Sequence, residues 1–377
     1  MAYNLKNYGK QHITEDDINA VVEVLKSDFL TTGPTVSEFE NNFAEYILCK
    51  HAIAVSSGTT ALDLAVRVLG IKEGEIIVTS MSFMASANCI LYNNLTPVFC
   101  DIDKETLNID IDKIEEKITD KTKAIIYVDF AGRPCDFNKL KSIADKHNLY
   151  LIEDACHAVG SEFNGKKVGS LADLTVFSFH PVKTITTGEG GMITTNNDDF
   201  AKKLRILRNH GIVKKEGSPF YDYDMIELGF NYRITDIQCA LGISQLKRLN
   251  SFIEKRQFLV DEYNSLLSDV EEVITPLSKK NGVCSWHLYY ILLNGIDKDK
   301  FLNLMKKRGL GVHSFYKPIY NFTYYKKRFN IDKNEFPVAE NIFANIVILP
   351  LFSQMGEKDV DFIVDNIKEV INIIKNE

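Results

Sequence analysis

The sequence predicts an α/β protein: a mostly parallel central sheet with helices on both faces, followed by a smaller α+β unit. Three observations carry this. From residue 50 to about 195, short runs rich in β-branched and aromatic residues alternate with helical patterns, the signature of strand–helix–strand units. A chain of 377 residues exceeds what one core usually supports, so two domains are expected. Hydrophobic residues at 45% and charged residues at 25% are ordinary for a globular chain.

Taken in order, ITEDDINAVVEVLKS carries a threonine cap before helical apolar spacing, and TVSEFENNFAEYIL is similar, giving an N-terminal arm. The candidate strands are HAIAVSS, EIIVTS, TPVFCDI, KAIIYVDF, LYLIEDA, LTVFSFH and GMITT. The helical patterns between the earlier ones are TTALDLAVRVLG, SFMASANCILYNN, DIDKIEEKI and DFNKLKSIADKHN. NDDFAKKLRILRNHG is amphipathic. The run ITDIQCALGISQLKRLNSFIEKRQFLVDEYNSLL reads as one long helix, a spine into the second domain. The expected division is 1–250 for the arm and large domain and 251–377 for the small one. The small one mixes a strand, HLYYILL, with helices in KFLNLMKKRG and VDFIVDNIKEVINIIK.

Composition narrows the function. Lys plus Arg is 44 against 51 Asp plus Glu, a net charge of -7 without long blocks, which offers no basic face for nucleic acid. The seven cysteines are widely spaced, with no CxxC and no Cys/His spacing suited to zinc. They read as reduced thiols of a cytosolic protein, and no metal is expected. The opening MAYNLKNYGKQHITEDD lacks the apolar stretch of a signal peptide, and no run is long enough to span a membrane. A cytoplasmic location is therefore expected.

Four features fall at predicted strand ends, where open α/β sheets bind ligands. SSGTTALDLA opens a helix with Gly58, Thr59 and Thr60. It is either a plain threonine cap or an anion site made of free N–H groups and hydroxyls. LIEDACHA ends a strand at Asp154, which either caps the next segment or faces a cation such as a pyridinium nitrogen. His157 has the same two readings, core residue or donor to a ligand oxygen. Phe83 in TSMSFMASAN is either core or a platform for a flat ring. FSFHPVKTITTGEGG presents Ser178 and then Lys183 with no other Lys, Arg, Asp or Glu within five residues. Partial burial of that lysine would lower its pKa and leave a free amine, which condenses with aldehydes. Together these are the groups that pyridoxal phosphate needs.

The stretch EDACHAVGSEFNGKKVGSLADLTVFSFHPVKTITTGEGGMITTN resembles the central signature of the DegT/DnrJ/EryC family, the sugar-nucleotide aminotransferases of the fold-type I pyridoxal-phosphate class. The likeness runs from SDFLTTGPTVSEFE through LGFNYRITDIQCALGISQL to VHSFYKPIY. SFHPVK, VDFAG, HGIVKK and YKPIY are most similar to the branch that aminates UDP-linked 4-keto-6-deoxy-N-acetylhexosamines in pseudaminic acid biosynthesis. The resemblance implies that Lys183 forms the internal aldimine and shuttles protons, and that Asp154 pairs with the pyridine nitrogen. His157 then sits beside the phenolic oxygen and Phe83 stacks on the ring. Gly58, Thr59, Thr60 and Ser178 cup the phosphate. It further implies that Asn231 reaches the phosphate from a neighbouring subunit of a homodimer. Tyr8, the turn Asp28, Phe29, Leu30 and Thr31, and the segment Phe315, Tyr316, Lys317 and Pro318 would line the sugar-nucleotide pocket. L-Glutamate and a UDP-4-keto sugar are the implied substrates.

Two departures stand out: Thr184 follows the lysine where many relatives carry asparagine or proline, and VHSFYKPIY is longer than the usual HYKP form. A sugar dehydratase on the same scaffold would carry histidine in place of Lys183. A non-catalytic relative would have no need of the lysine, aspartate and phosphate cup together. GEGG lacks the spacing and position of a dinucleotide-binding turn.

Overall fold

The computed structural model describes residues 5–214, 217, 219, 221–277 and 282–377. Residues 1–4 of the N-terminal arm and Lys215 of HGIVKK lie outside the described residues.

All seven candidate strands join one sheet. They are β1 (His51–Val55), β2 (Glu75–Thr79), β3 (Thr96–Cys100), β4 (Thr122–Val128) and β5 (Tyr150–Asp154). After two short strands, β6 (Glu162–Phe163) and β7 (Lys166–Lys167), come β8 (Leu174–Ser178) and β9 (Gly191–Thr195). The order across the sheet is β1-β9-β8-β5-β4-β2-β3. From β8 to β3 the pairing is parallel, whereas β9 runs antiparallel to both β8 and β1. A loop, not a helix, joins β8 to β9, and a short loop returns its strand antiparallel. Both faces are covered: in β4, Ala124 and Ile126 enter one core layer and Ile125 and Tyr127 another, which is why these strands read as continuous apolar runs.

Helices α1 (Glu15–Leu25), α2 (Pro34–Ile47) and α3 (Gly58–Val68) precede or flank the first strand. The Asp17 carboxylate accepts from the Thr14 N–H at 2.9 Å, closing the start of α1, and Pro34 begins α2, where its missing N–H costs nothing.

Two sequence expectations change. DIDKIEEKI forms two single-turn 3-10 stretches, Ile111–Lys113 and Glu115–Lys117. The segment is too short to sustain a helix by itself, Asp110 turns its carboxylate onto the Asp112 N–H, and Ile114 is drawn into the core. The expected long spine is two helices, Asp236–Leu246 and Leu249–Leu267. The break falls at Arg248 (φ −105°, ψ 1°), whose guanidinium is tied to the Asp17 carboxylate and the His12 carbonyl.

β10 (Ile212–Lys214) and β11 (Tyr223–Met225) pair with each other. Beyond the spine, β12 (Val273–Ile274), β14 (Tyr289–Leu293) and β15 (Ile346–Leu349) form an antiparallel sheet, and β13 (Gly282–Val283) joins β6. One face of this sheet, with Tyr289 and Ile291, builds its own core with helices 249–267, 298–307 and 357–376. The other, with Tyr290 and Ile348, packs on the core of the large sheet. The C-terminal residues thereby form a wall over the strand ends. The seven cysteines are free, and no helix among the described residues is long and apolar enough to cross a membrane.

Candidate active site

A cavity of about 400 Å³ opens where β1, β2, β4, β5 and β8 end, roofed by residues of the C-terminal unit. Its anion end is the start of α3. Ser57 and Thr60 close a reciprocal capping box, each accepting the other's N–H at 3.1 Å, which leaves the first N–H groups of the helix without intrahelical partners. Gly58 lies against β8: a Cβ there would stand 2.9 Å from Ser178 Cβ and 3.2 Å from Cys156 Sγ. Gly58, Thr59 and Ser178 line the cavity. Thr60 spends its hydroxyl on the cap, donating to the Ser57 carbonyl at 2.9 Å, and is not among the lining residues.

Asp154 is buried at the end of β5. Its Oδ2 accepts from Ser86 Oγ at 2.6 Å and its Oδ1 from the Cys156 N–H at 3.2 Å. Phe83, half exposed, borders the cavity with its ring edge-on to Tyr316 at 6.3 Å. His157 is buried, accepts from the Ala131 N–H through Nδ1 at 3.3 Å, and meets the Tyr316 hydroxyl through Nε2 at 3.1 Å. Burial, then the Lys183 charge, hold its pKa well below the usual histidine value.

Lys183 lies in the loop from β8 to β9. The threonines after it fold that loop onto itself: Thr186 Oγ1 donates to the Phe179 carbonyl at 2.9 Å and Thr187 Oγ1 to the Glu189 carbonyl at 2.7 Å. Thr184 is buried, and its hydroxyl finds no partner among the described residues. The amine is partly buried. Desolvation lowers its pKa below the ordinary lysine value, against the opposing pull of Cys156 and Asp154. Its Nζ lies 3.4 Å from His287 Nε2.

Tyr8, Phe315 and Tyr316 complete the wall; the Tyr8 and Phe315 rings meet edge to face at 5.1 Å. Lys317 turns outward over the Phe322 ring at 5.1 Å, and Pro318 is buried. The turn Asp28–Thr31 and Asn231 are exposed and lie outside this cavity. They run along neighbouring segments: Thr31 bridges Thr235, and the Leu30 carbonyl accepts from the Asp236 N–H at 3.0 Å.

Sequence reasoning missed Ser86 and His287. Ser86 follows Phe83 by one helical turn, a spacing that could have flagged it. His287 precedes β14 and arrives from a distant segment, so nothing local marked it. The assembled cavity offers N–H donors and hydroxyls for an anion, a buried carboxylate for a cationic ring nitrogen, aromatic faces, and an amine whose pKa desolvation lowers.

The model of the DegT/DnrJ/EryC1/StrS aminotransferase family matches residues 11–368. The UDP-4-amino-4,6-dideoxy-N-acetyl-beta-L-altrosamine transaminase of Campylobacter jejuni subsp. jejuni serotype O:23/36 (strain 81-176) is 41% identical over 374 residues, 98% of each chain. Among solved structures, Helicobacter pylori PseC, an aminotransferase involved in the biosynthesis of pseudoaminic acid, superposes with a TM-score of 0.93 at 34% identity, over 98% of this chain and 99% of that one. The pyridoxal-phosphate form of Spr1654, a putative sugar aminotransferase from Streptococcus pneumoniae, gives a TM-score of 0.93 at 32% identity over 99% and 100%.

Proposed function

The chain belongs to the DegT/DnrJ/EryC1/StrS aminotransferase family, whose members depend on pyridoxal phosphate, and from that premise we propose which amino group it moves and which residues move it. It transfers the amino group of L-glutamate to C4 of a UDP-linked 4-keto-6-deoxy-N-acetylhexosamine, in the biosynthesis of pseudaminic acid. The observation that carries this is the convergence in one cavity of a partly buried amine, a buried carboxylate and a helix start.

Pyridoxal phosphate supplies, when bound, an aldehyde that takes up amines and a ring that withdraws electrons. The residues present fit it. The α3 N-terminus, Thr59 and Ser178 would hold the phosphate, with Gly58 keeping room for it. Asp154, oriented by Ser86, would hold the ring nitrogen in its protonated form. Phe83 would cover one ring face and His157 would stand beside the ring oxygen. Lys183 would hold the aldehyde carbon and, once displaced by the incoming amine, would take a proton from one carbon and return it to another. Its lowered pKa leaves more of it in the neutral form that proton abstraction requires. Tyr8, Phe315 and Tyr316 would face the sugar nucleotide.

We also read the active unit as a cytoplasmic homodimer with a division between units near residue 250. The placement of Asn231 and Asp28–Thr31 outside the cavity, together with the exposed Tyr223, Met225, Ile226 and Leu228, favours residues shared between two copies. The test is a two-step reaction. L-Glutamate should bleach the visible band of the loaded protein and release 2-oxoglutarate; a UDP-4-keto-6-deoxy-N-acetylhexosamine should restore the band and yield the 4-amino sugar. Bleaching without an amino sugar from this substrate would contradict the assigned acceptor.

A further inference from the structure

His287 lines the cavity, and the proposed mechanism gives it no part. It is buried, its ring lies tilted by 43° against His157 with centroids 4.5 Å apart, and its Nε2 lies 3.4 Å from Lys183 Nζ. Its place is fixed from three sides. Arg256, fully buried, donates to the carbonyls of Trp286 (3.0 Å), His287 (3.4 Å) and Leu351 (3.1 Å). Ser285 Oγ donates to the His157 carbonyl at 3.0 Å, and the Ser285 N–H to Ser161 Oγ at 3.0 Å. Trp286 donates its indole N–H to Gln257 at 2.8 Å. A segment anchored this firmly is suited to presenting a ring that orients a mobile side chain.

The other ring nitrogen decides the direction of the contact. His287 Nδ1 is buried without a hydrogen-bond partner among the described residues. A buried N–H left unpaired is rarer than a buried acceptor left unpaired. The ring proton therefore belongs on Nε2, aimed at Lys183, and the lysine accepts it as a neutral amine.

We propose that His287 is a positioning residue for Lys183: its Nε2–H donates to the Nζ lone pair and holds the neutral amine in the cavity whenever Lys183 is not joined to the cofactor. This rests on the reading of Lys183 as the cofactor-bearing amine. The charged and titratable groups around the pair are His157, His180 and Arg256 near His287, and Asp154 and Cys156 near Lys183. The C-terminal unit thus acts on the amine carried by the large one, through a single ring.

The test reads the amine and not turnover. Full-length protein freed of cofactor is labelled with an amine-reactive reagent across pH, and labelling of the peptide containing Lys183 is measured by mass spectrometry. Removing a donor to the neutral amine favours the ammonium. In His287→Phe, which keeps a ring against His157, the labelling midpoint should therefore move to higher pH, with labelling roughly 2- to 10-fold slower below the midpoint. His287→Gln, whose amide N–H reaches toward the same position, should bring the midpoint back toward wild type. Should His287→Phe not fold, His287→Asn, whose shorter amide leaves Nζ without a donor, takes its place. A midpoint that falls would mean Lys183 donates as an ammonium; one that stays would make His287 packing alone. Either overturns the proposal. Pyridoxal phosphate added before labelling should protect the same peptide, and failure of that protection would instead overturn the reading of Lys183.

Discussion

The two walls of the cavity are built in different ways. The large-sheet wall consists of strand ends and the residues just past them: Gly58 after β1, Phe83 after β2, Asp154 at the end of β5, Ser178 at the end of β8 and Lys183 after it. The opposite wall is assembled from Tyr8, His287, Phe315 and Tyr316, drawn from both ends of the chain. The first wall holds the groups read as binding the cofactor; the second faces the space left for the acceptor. On the proposed reading, the chemistry is local to one sheet, whereas selection and positioning depend on how distant segments pack.

If that division holds, substitutions in the first wall should damage transamination with every acceptor. Lys183→Ala removes tether and proton carrier together, and turnover should fall by at least ~10²–10⁴-fold; near-normal turnover would break the comparison. Asp154→Asn should cost about 10²-fold, the scale set by removing one preorganised electrostatic group. Unchanged turnover would return Asp154 to a capping role. Ser86→Ala takes the 2.6 Å hydrogen bond from Asp154 and should lower turnover by about 10-fold while the protein still binds pyridoxal phosphate. Substitutions in the second wall should separate binding from chemistry. Tyr316→Phe removes the hydroxyl contact to His157 and should raise KM for the sugar nucleotide more than it lowers kcat. The reverse would place Tyr316 with the first wall.

The smallest effect concerns pH. Burial holds His157 and His287 below the ordinary histidine pKa, so below about pH 6.5 the unfolded chain binds protons that the folded one does not. Stability should then fall as the solution is acidified, by up to ~1.4 kcal/mol per pH unit for each ring. Urea midpoints measured between pH 7 and 5 should show this slope, and it should flatten in His287→Phe.

The same contrast explains which features the sequence disclosed. The seven strands were legible because a sheet buried on both faces demands continuous apolar runs, and the residues just past strands 1, 2, 5 and 8 stand out by chemistry against them. The reversal of β9 was not legible, since pairing direction depends on the connection and not on the strand. DIDKIEEKI has helical spacing but lacks the length to hold it, and the spine breaks because Arg248 is claimed by Asp17, a partner more than two hundred residues away. His287 escaped notice for a related reason: a histidine at the start of a strand says nothing until Arg256 and Ser285 place it over the amine. Asn231 and Asp28–Thr31 came from resemblance alone. The structure sets Thr31 against Thr235 and Asn231 against Asn209, outside the cavity.

The central claim is that one amine, Lys183, joins the cofactor. Protein loaded with pyridoxal phosphate, reduced with borohydride and digested, should carry the added mass on the peptide containing FHPVK and on that peptide alone. A tag on another lysine, or no tag, would contradict the account.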